Sequence, residues 1–272
     1  MRLISFICVI YITATIFQFS IGDEKKQGKN KKDYKKSAES VKVIVEEGVR
    51  QQAKQNEDWK AVLRRLEDKT AWEKYFKRID EQLGIYHKDG LPITVTLKAN
   101  NTYPRRGMGS VRGRGGELWM SVPALIKSVP QAKDVDLAGI VDIVVIHELI
   151  HCLQQSSQGE DLTRKWPEWL IEGMADFAAY DKPLTKELKV LEQVANSDLD
   201  SAKGAPSYMR LRGWLFFTYL KETFKEGKVK EFVGLLLEKT SHKDAVEKAT
   251  KKRWDEFKAD ELMWAKEYIN KK

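Results

Sequence analysis

The chain has little of what usually cross-links small extracellular domains or interrupts regular structure. Its 272 residues include only 2 Cys, 7 Pro, 17 Gly and 4 His. Two cysteines exclude a disulfide framework, and the low glycine and proline content excludes collagen-like and low-complexity chains. The fold must therefore rest on a hydrophobic core, for which 8 Trp, 10 Phe and 9 Tyr supply the bulk. With so few histidines, two of them at a defined spacing are informative.

Positive charge is concentrated near the N-terminus. The formal net charge is +8 and the sequence pI is near 9.2, which raises the question of nucleic-acid binding. Residues 25–36 contain seven Lys and one Asp without an aliphatic residue. Such a run predicts a flexible, solvated tether over 23–36, and Lys25–Lys36 predicts weak association with anionic surfaces. Farther along, both signs of charge are interspersed, so the composition favours no specific nucleic-acid partner.

The first 22 residues have the pattern of a signal peptide. Arg2 supplies a positive start, residues 3–19 are almost entirely apolar, and residues 20–22 are Ser-Ile-Gly. This pattern predicts cleavage after position 22 and a secreted protein, extracellular or periplasmic. A retained N-terminal membrane anchor is the alternative, because the apolar run comes close to spanning length. Cleavage would leave Cys152 as the only cysteine, which excludes an internal disulfide.

Residues predicted to form helices come before a short region in which the sequence alternates as in β-strands. Residues 37–83 carry apolar residues at helical spacing and predict two helices. Residues 93–97 and 117–122 alternate and contain β-branched or aromatic residues, which predicts two strands. The glycine- and arginine-rich residues 104–116 fit neither common nucleotide-binding glycine motif, so they predict a hairpin-like connection. In the first predicted helix the apolar positions are Val41, Ile44, Val45 and Val49.

Two central segments are apolar enough to be buried helices. Residues 136–155 are apolar on nearly every side, and residues 166–180 have a proline at a position that a first helical turn tolerates. Residues 207–225, 228–238 and 252–268 predict further helices, the first of them strongly amphipathic. The residues that carry chemistry lie on the two central helices.

Residues 147–151 have the sequence H-E-L-I-H. Side chains four residues apart lie on one helical face, so His147 and His151 can direct ring nitrogens at one metal ion. Glu148 lies beside them, within reach of a water that the metal activates and without being a ligand. Two imidazoles and a carboxylate are costly to bury in an apolar helix unless they are satisfied. The motif therefore predicts a metal site, with two hydrogen-bonded core histidines as the alternative.

A catalytic zinc ion takes three protein ligands and keeps one position open. Continuing the motif as in a metzincin would require Gly and His where the chain has Gln154 and Ser157. The other histidines, His87 and His242, lie in segments predicted to be peripheral. The remaining candidates are the carboxylates of Glu160, Asp161, Glu168, Glu172 and Asp176.

Among these carboxylates the pattern favours Glu172. Glu160 and Asp161 fall in a polar loop, where solvation is the simplest interpretation. Glu168 is in a first helical turn, where a carboxylate complements the helix dipole. Glu172 is one turn deeper in an apolar stretch, and Asp176 is on the same face, placed to accept a hydrogen bond from a ligand histidine. Glu172 is thus the predicted third ligand and Glu168 the alternative.

The motif H-E-L-I-H at 147–151, followed by W-L-I-E-G-M-A-D-F at 169–177, resembles the gluzincin metallopeptidases. Within them, the chain is most similar to the peptidase-MA-like group that includes the plant basic secretory proteins, over roughly residues 91–238. The resemblance implies a zincin-like catalytic fold and one Zn²⁺ ion. It implies Glu148 as general base, Asp176 as support for a ligand histidine and Tyr208 as a donor to the oxyanion. The implied metal ligands are His147, His151 and Glu172.

The sequence therefore predicts an α+β, mainly helical chain. Its catalytic domain has a small sheet before the HExxH helix and a helical C-terminal part. The predicted segments are a signal peptide at 1–22, a lysine-rich tether at 23–36, N-terminal helices at 37–83 and the zincin-like metallopeptidase domain at 84–272, with its core at 91–238.

The predicted function is hydrolysis of peptide bonds in peptide or protein substrates by a secreted, monomeric zinc peptidase. Zinc activates a water, and Glu148 takes its proton and passes it to the leaving amine. We expect an extended substrate to add to the strand at 117–122 as to a sheet edge. One alternative is a catalytically inactive zinc-binding secreted protein that binds polysaccharide or other polyanionic surfaces through its lysines. The other is a nucleic-acid binder with structural histidines.

Overall fold

The computed structural model describes residues 32–86, 92–100, 109–112, 116–129, 135–158, 166–183, 188–202 and 204–271. Within them the chain is mainly helical with one small sheet, which confirms the predicted α+β class. The strands are β1 (Val41–Val45), β2 (Ile93–Lys98), β3 (Gly109–Arg112) and β4 (Glu117–Ser121). The helices are α1 (Tyr34–Glu39), α2 (Glu47–Ala53), α3 (Glu57–Glu67), α4 (Lys69–Leu83), α5 (Val122–Ser128), α6 (Leu137–Gln158), α7 (Glu168–Ala179), α8 (Leu188–Val194), α9 (Pro206–Phe224), α10 (Glu226–Leu237), α11 (His242–Thr250) and α12 (Trp254–Asn270). The predicted signal peptide lies outside the described residues.

The sheet precedes the central helix α6 in the chain, as predicted. Among the described strands the order is β1-β2-β4-β3, with β1, β2 and β4 parallel and β3 antiparallel to β4. Alternate residues of β2 and β4 point into the core because side chains along a strand alternate between its two faces. The inward-facing residues are Ile93, Val95, Leu97, Leu118 and Met120.

One predicted role for the sheet is wrong. The segment 117–122 is not an open edge for a peptide, because β4 is hydrogen-bonded to β2 on one side and to β3 on the other. On this side of the sheet the edge strand is β3, which lies inside the predicted glycine-arginine loop, and β1 is the edge strand on the opposite side. The hairpin-like connection thus contains a strand of its own.

The segment Val41–Val45 is a strand, not part of a predicted helix. It pairs in parallel with β2, from Val41 opposite Ile93 to Val45 opposite Leu97. Its apolar residues at positions 41, 44 and 45 match helical spacing by coincidence, and β-branched side chains favour the extended conformation. The free edge of β2, which is distant in sequence, supplies the hydrogen-bonding partner that decides between the two conformations.

The end of the predicted tether is ordered. Helix α1 begins at Tyr34, where the sequence predicts a flexible run up to position 36. The carboxylate of Asp80 on α4 accepts hydrogen bonds from the Lys32 ammonium at 2.7 Å and the Tyr34 hydroxyl at 2.6 Å. Asp80 is only 6% exposed, so these contacts attach the N-terminal residues to the helical layer. Residues 23–31 lie outside the described part of the chain.

Helix α6 is the central helix of the fold. Within the described residues it is the one helix long and apolar enough to cross a membrane, over Leu137–Ser156, but 61% of that stretch is buried in the protein. Its first half is oriented by Asp142, which accepts two hydrogen bonds from the Arg65 guanidinium, at 2.7 and 2.6 Å, and one from the Tyr75 hydroxyl at 2.5 Å. The apolar character of α6 is therefore that of a core helix.

Helices α7 and α9 cross in backbone contact. A Cβ atom on Gly173 would lie 2.2 Å from the Cα of Gly213, and one on Gly213 would lie 1.8 Å from the carbonyl oxygen of Trp169. Only glycine allows such an approach. Residues 211–220 of α9 are all buried, so the predicted amphipathic helix is enclosed on every side. Helix α8, which the sequence did not predict, contributes to this enclosure together with α10 and α12. Helix α11, which was also not predicted, packs against α10 and α12.

Candidate metal centre

Helix α6 brings the two histidines of the motif together. His147 and His151 lie one turn apart, and their Nε2 atoms are 3.0 Å apart, with the rings edge to face. Their side chains are 14% and 13% exposed, which leaves the pair accessible from one side. The i, i+4 spacing in a straight helix is enough to produce this approach.

Helix α7 adds the third group. Glu172 on this helix has one carboxylate oxygen 3.4 Å from Nε2 of His147 and the other 3.5 Å from Nε2 of His151. The three candidate ligand atoms all lie within 4.8 Å of one another. Glu168, the alternative third ligand, is exposed in the first turn of α7 and does not belong to this group. The remaining acidic candidates, Glu160 and Asp161, lie outside the described residues.

Each histidine uses its other ring nitrogen to contact a side chain that faces away from the centre. Nδ1 of His147 lies 2.7 Å from a carboxylate oxygen of Asp176, as predicted from the sequence. Nδ1 of His151 lies 2.9 Å from the amide oxygen of Gln154. Because both partners are acceptors, both Nδ1 atoms carry protons. Neutral imidazoles would then present Nε2 lone pairs to the centre.

The carboxylate of Asp176 is held in its ionised form. It is only 1% exposed, and burial alone would raise its pKa. The charge of Arg210 and the hydrogen bonds from His147 and Tyr180 outweigh burial and lower the pKa to about 2. Arg210 Nε donates to Asp176 at 2.7 Å, and the Tyr180 hydroxyl donates to the same carboxylate oxygen. Three donors from α6, the end of α7 and α9 thus converge on this carboxylate.

The centre is a cluster of hydrogen-bond acceptors without a donor of its own. Two Nε2 lone pairs and the Glu172 carboxylate face one another, so the cluster needs a cation, either a proton or a metal ion. Burial opposes a charge on His147, yet the Asp176 and Glu172 carboxylates raise its pKa to about 10. A hydrogen bond with His147 and the proximity of both histidines in turn lower the pKa of Glu172 against the effect of burial.

The donor set and its spacing fit a zinc ion. Two imidazoles and one carboxylate are a ligand set of catalytic zinc, and they leave the fourth position open. Bonds of about 2.0–2.2 Å in tetrahedral geometry separate ligand atoms by about 3.3–3.6 Å. The two Nε2 atoms are 3.0 Å apart, Oε2 of Glu172 lies 3.4 Å from that of His147, and Oε1 of Glu172 lies 3.5 Å from that of His151. The group can thus hold a metal ion with small shifts of the side chains.

Glu148 lies next to His147 on α6 and is only 8% exposed. Within the described part of the chain its carboxylate makes no hydrogen bond and no ion pair. Its negative charge contributes to the raised pKa of His147. A buried carboxylate that has no hydrogen-bond partner among the described residues and lies beside a metal-binding group is suited to take a proton from a water molecule.

Tyr208 lies in the first turn of α9, and its hydroxyl is hydrogen-bonded to the hydroxyl of Ser197. No contact with His147, His151 or Glu172 is found for it among the described residues. The role that the family resemblance implies for Tyr208 therefore stays a prediction.

Of the two histidines predicted to be peripheral, His242 lies next to the rings of Trp169 and Trp254, with distances of 6.0 and 5.3 Å between ring centroids. His87 lies outside the described residues.

A comparison with protein-family models matches residues 118–260 to the family described as "Peptidase of plants and bacteria". The matched segment is slightly more than half of the chain and contains the whole candidate metal centre. The chain belongs to this family. The match agrees with the predicted similarity to the plant basic secretory proteins and supports peptidase activity, with peptide or protein substrates, at the level of the family. The comparisons with curated proteins and with solved structures give no match.

Sequence reasoning missed three residues that position the centre of this peptidase-family chain. Tyr180 and Arg210 hold Asp176, and Gln154 contacts His151. Two of them had a local signal: Tyr180 follows Asp176 by four residues, and Gln154 follows His151 by three, so each pair shares a helical face. Arg210 had none, because its contact depends on how α9 crosses α7.

Proposed function

We propose that this member of the family is an exported zinc-dependent peptidase of the gluzincin type. The observation that carries the proposal is the convergence of His147, His151 and Glu172 on one point, next to the buried carboxylate of Glu148. Membership in a family of peptidases supports the reaction, and the donor set supports the metal.

The residues of the chain have separate roles in the proposed mechanism. When bound, zinc acts as a Lewis acid that lowers the pKa of water and polarises the scissile carbonyl. His147, His151 and Glu172 hold the ion. Glu148 accepts the proton of the attacking water and delivers it to the leaving amine, which a buried carboxylate can do without crossing bulk solvent. Tyr208 is proposed as a hydrogen-bond donor to the oxyanion.

We propose that an extended substrate pairs with β3 in place of the predicted strand at 117–122. β3 is one of the two edge strands among the described strands, and it packs against α6, which carries the HExxH motif. An edge strand offers unpaired backbone N–H and C=O groups to a peptide. Pairing there would place the peptide backbone alongside the helix that carries Glu148.

Export is proposed from the N-terminal sequence. Residues 1–22 carry the pattern of a signal peptide, and the following lysine-rich run supports weak association with anionic surfaces outside the cell. Expression of the full chain with sequencing of the mature N-terminus tests this step. A mature protein that begins at Asp23 is expected, whereas a protein that retains residues 1–22 contradicts cleavage.

The metal and the reaction are tested on purified mature protein by metal analysis and by cleavage of a mixture of unstructured peptides. We expect one zinc per chain in the wild type and in Glu168→Ala, and loss of zinc in Glu172→Ala. We expect Glu148→Gln to keep its zinc and lose at least two orders of magnitude in kcat. Cleavage that survives Glu148→Gln contradicts the proposed mechanism. Loss of zinc in Glu168→Ala but not in Glu172→Ala contradicts the ligand assignment.

A further inference from the structure

Gln154 lies between the two helices that carry the metal centre. Its side chain is fully buried, one turn beyond His151 on α6. The amide oxygen lies 2.9 Å from Nδ1 of His151, and the amide nitrogen donates to the carbonyl oxygen of Ile171 on α7 at 3.0 Å. The same nitrogen lies 3.5 Å from the sulfur of Met174. One side chain therefore contacts a ligand histidine and the backbone next to Glu172.

The orientation of the amide follows from the chemistry of its partners. A backbone carbonyl can only accept a hydrogen bond, so the NH₂ group of Gln154 must face Ile171. The amide oxygen must then face His151, where it can only accept. Nδ1 of His151 is therefore the protonated nitrogen, and the lone pair lies on Nε2, which points at His147 and Glu172. A fixed backbone group on α7 thus determines the tautomer of a histidine on α6.

The contact with Ile171 also bears on the third ligand. The carbonyl that accepts from Gln154 belongs to the peptide group that joins Ile171 to Glu172. Gln154 therefore restrains His151 through its ring and Glu172 through its backbone. His147 has a separate restraint in the ionised carboxylate of Asp176. Asp176 thus restrains one candidate ligand, His147, and Gln154 restrains the other two, His151 and Glu172.

We propose that Gln154 is a positioning residue for the metal centre: it selects the Nδ1–H tautomer of His151 and holds α7 at the distance from α6 that Glu172 requires. The inference rests on the proposed function only where it predicts a change in zinc affinity. The tautomer and the contact between the helices are properties of the metal-free chain as well. Partners of this kind change metal affinity by about 10–100-fold when they are removed.

The test compares Gln154→Met with Gln155→Met in the mature protein. Methionine has nearly the shape of glutamine and no hydrogen-bonding amide, so the packing is kept and the polar contacts are lost. Gln155, the next residue, is only partly buried and serves as the control for the substitution itself. Zinc affinity is measured by competition with a chromogenic chelator. Long-range ¹H–¹⁵N NMR of the imidazoles measures the tautomer of His151, and urea unfolding with EDTA measures the stability of the metal-free fold.

We expect Gln154→Met to bind zinc about 10–100-fold more weakly than Gln155→Met, and to shift metal-free His151 from one tautomer to a mixture of two. A Gln154→Met protein that keeps both the zinc affinity and the single tautomer overturns the inference. A wild type that binds no zinc but shows the Gln154-dependent tautomer overturns the proposed function and supports the tautomer selection.

If unfolding shows that Gln154→Met does not fold, Gln154→Glu is measured instead. Glu keeps an acceptor for His151 and lacks the donor to Ile171, so we expect the single tautomer with weakened zinc binding.

Discussion

Asp176 accepts hydrogen bonds from three donors with two oxygens, although its side chain is only 1% exposed. His147, Tyr180 and Arg210 all present N–H or O–H groups to it. An ionised carboxylate can satisfy all three, because each of its oxygens can accept more than one hydrogen bond. The negative charge also offsets the cost of partly burying the Arg210 guanidinium beside it. The position therefore requires an ionised carboxylate, and a neutral side chain of the same size cannot replace it.

At the residue scale, we predict that Asp176→Asn lowers zinc affinity by about 10–100-fold. An amide has only one acceptor oxygen, so its NH₂ group must face at least one of the three donors. His147 then loses the partner that orients Nε2 toward the centre. Chelator competition measures the change. The control is Asp181→Asn, whose side chain is 77% exposed and pairs only with Arg78 among the described residues. Equal affinities in the two variants would contradict the role given to Asp176.

At the scale of elements, the position of Glu172 depends on the close crossing of α7 and α9. Gly173 follows Glu172 directly, and its Cα lies 2.5 Å from where a Cβ on Gly213 would be. Any side chain at either position must push the two helices apart. Arg210, which reaches Asp176 from α9, would move with the same displacement. The crossing therefore couples helix packing to the geometry of the metal centre.

We predict that Gly213→Ala lowers the free energy of unfolding by about 1–3 kcal/mol or more and weakens zinc binding. The added methyl group has no space between the helices, so the cost is that of overpacking. Urea unfolding and chelator competition give the two quantities. Gly227→Ala on α10 is the control, because a Cβ there meets no atom within 4 Å, and it is expected to stabilise the helix by about 0.5–1 kcal/mol. A Gly213→Ala protein as stable as the control would show that the crossing is not rigid.

At the scale of the whole molecule, the C-terminal helix is joined to the core by a buried ion pair. Arg212 on α9 and Glu261 on α12 are 1% and 0% exposed and form a two-pronged pair, with one contact of 2.6 Å. The Nε atom of Arg212 also donates to the carbonyl of Ser197 at 2.9 Å. Through this arginine, α12 contacts the turn that follows α8 and the helix that carries Tyr208. The pair thus connects parts of the chain that are far apart in sequence.

We predict that Arg212→Met lowers the free energy of unfolding by about 3–5 kcal/mol, because it leaves the Glu261 carboxylate buried without a partner. The double variant Arg212→Met with Glu261→Leu should recover most of the loss, since no charge is then stranded. Urea unfolding of both variants with EDTA separates this effect from metal binding. A single variant that loses less than about 1 kcal/mol would mean that water reaches the carboxylate and that the pair contributes little.

A more exposed charge cluster supplies a pH-dependent contribution to stability. Asp200 lies against Lys258 at 2.5 Å, Lys243 at 3.2 Å and the indole N–H of Trp254. Partial burial raises its pKa, but the hydrogen bonds from Lys258 and Trp254 outweigh it and lower the pKa to about 2. Because the folded pKa is depressed, the contribution is complete above the unfolded pKa of about 4 and is lost as pH falls through about 2.

We predict that the stability difference between the wild type and Asp200→Asn is constant from about pH 5 to 8 and shrinks between about pH 4 and 2. The side chain is 38% exposed, so the solvent-screened difference is at most about 1 kcal/mol and falls further in 1 M salt. Urea unfolding across this pH range measures it. Asp255→Asn is the control, with an aspartate that is 89% exposed beside the same lysine. A pH dependence equal in the two variants would contradict the assignment.

The sequence by itself determined the parts of this protein that depend on helical periodicity. The pairs His147 and His151, and Glu172 and Asp176, each have i, i+4 spacing, so a helix places them on one face whatever surrounds it. The positions of α6 and α7 followed from two long apolar segments, the second of which has a proline where a first helical turn tolerates it. The resemblance to a peptidase family rested on these two motifs, and the family match includes both of them.

The tertiary structure decided what depends on partners distant in the chain. Residues 41–45 became a strand because β2 offered a free edge, and 117–121 became an internal strand because β3 folded back on it. Arg210 reached Asp176 because two glycines let α9 approach α7 closely. Gln154 gained its role because the carbonyl of Ile171 on another helix lies opposite it. Local spacing shows which side chains share a face, and packing between elements determines what that face meets.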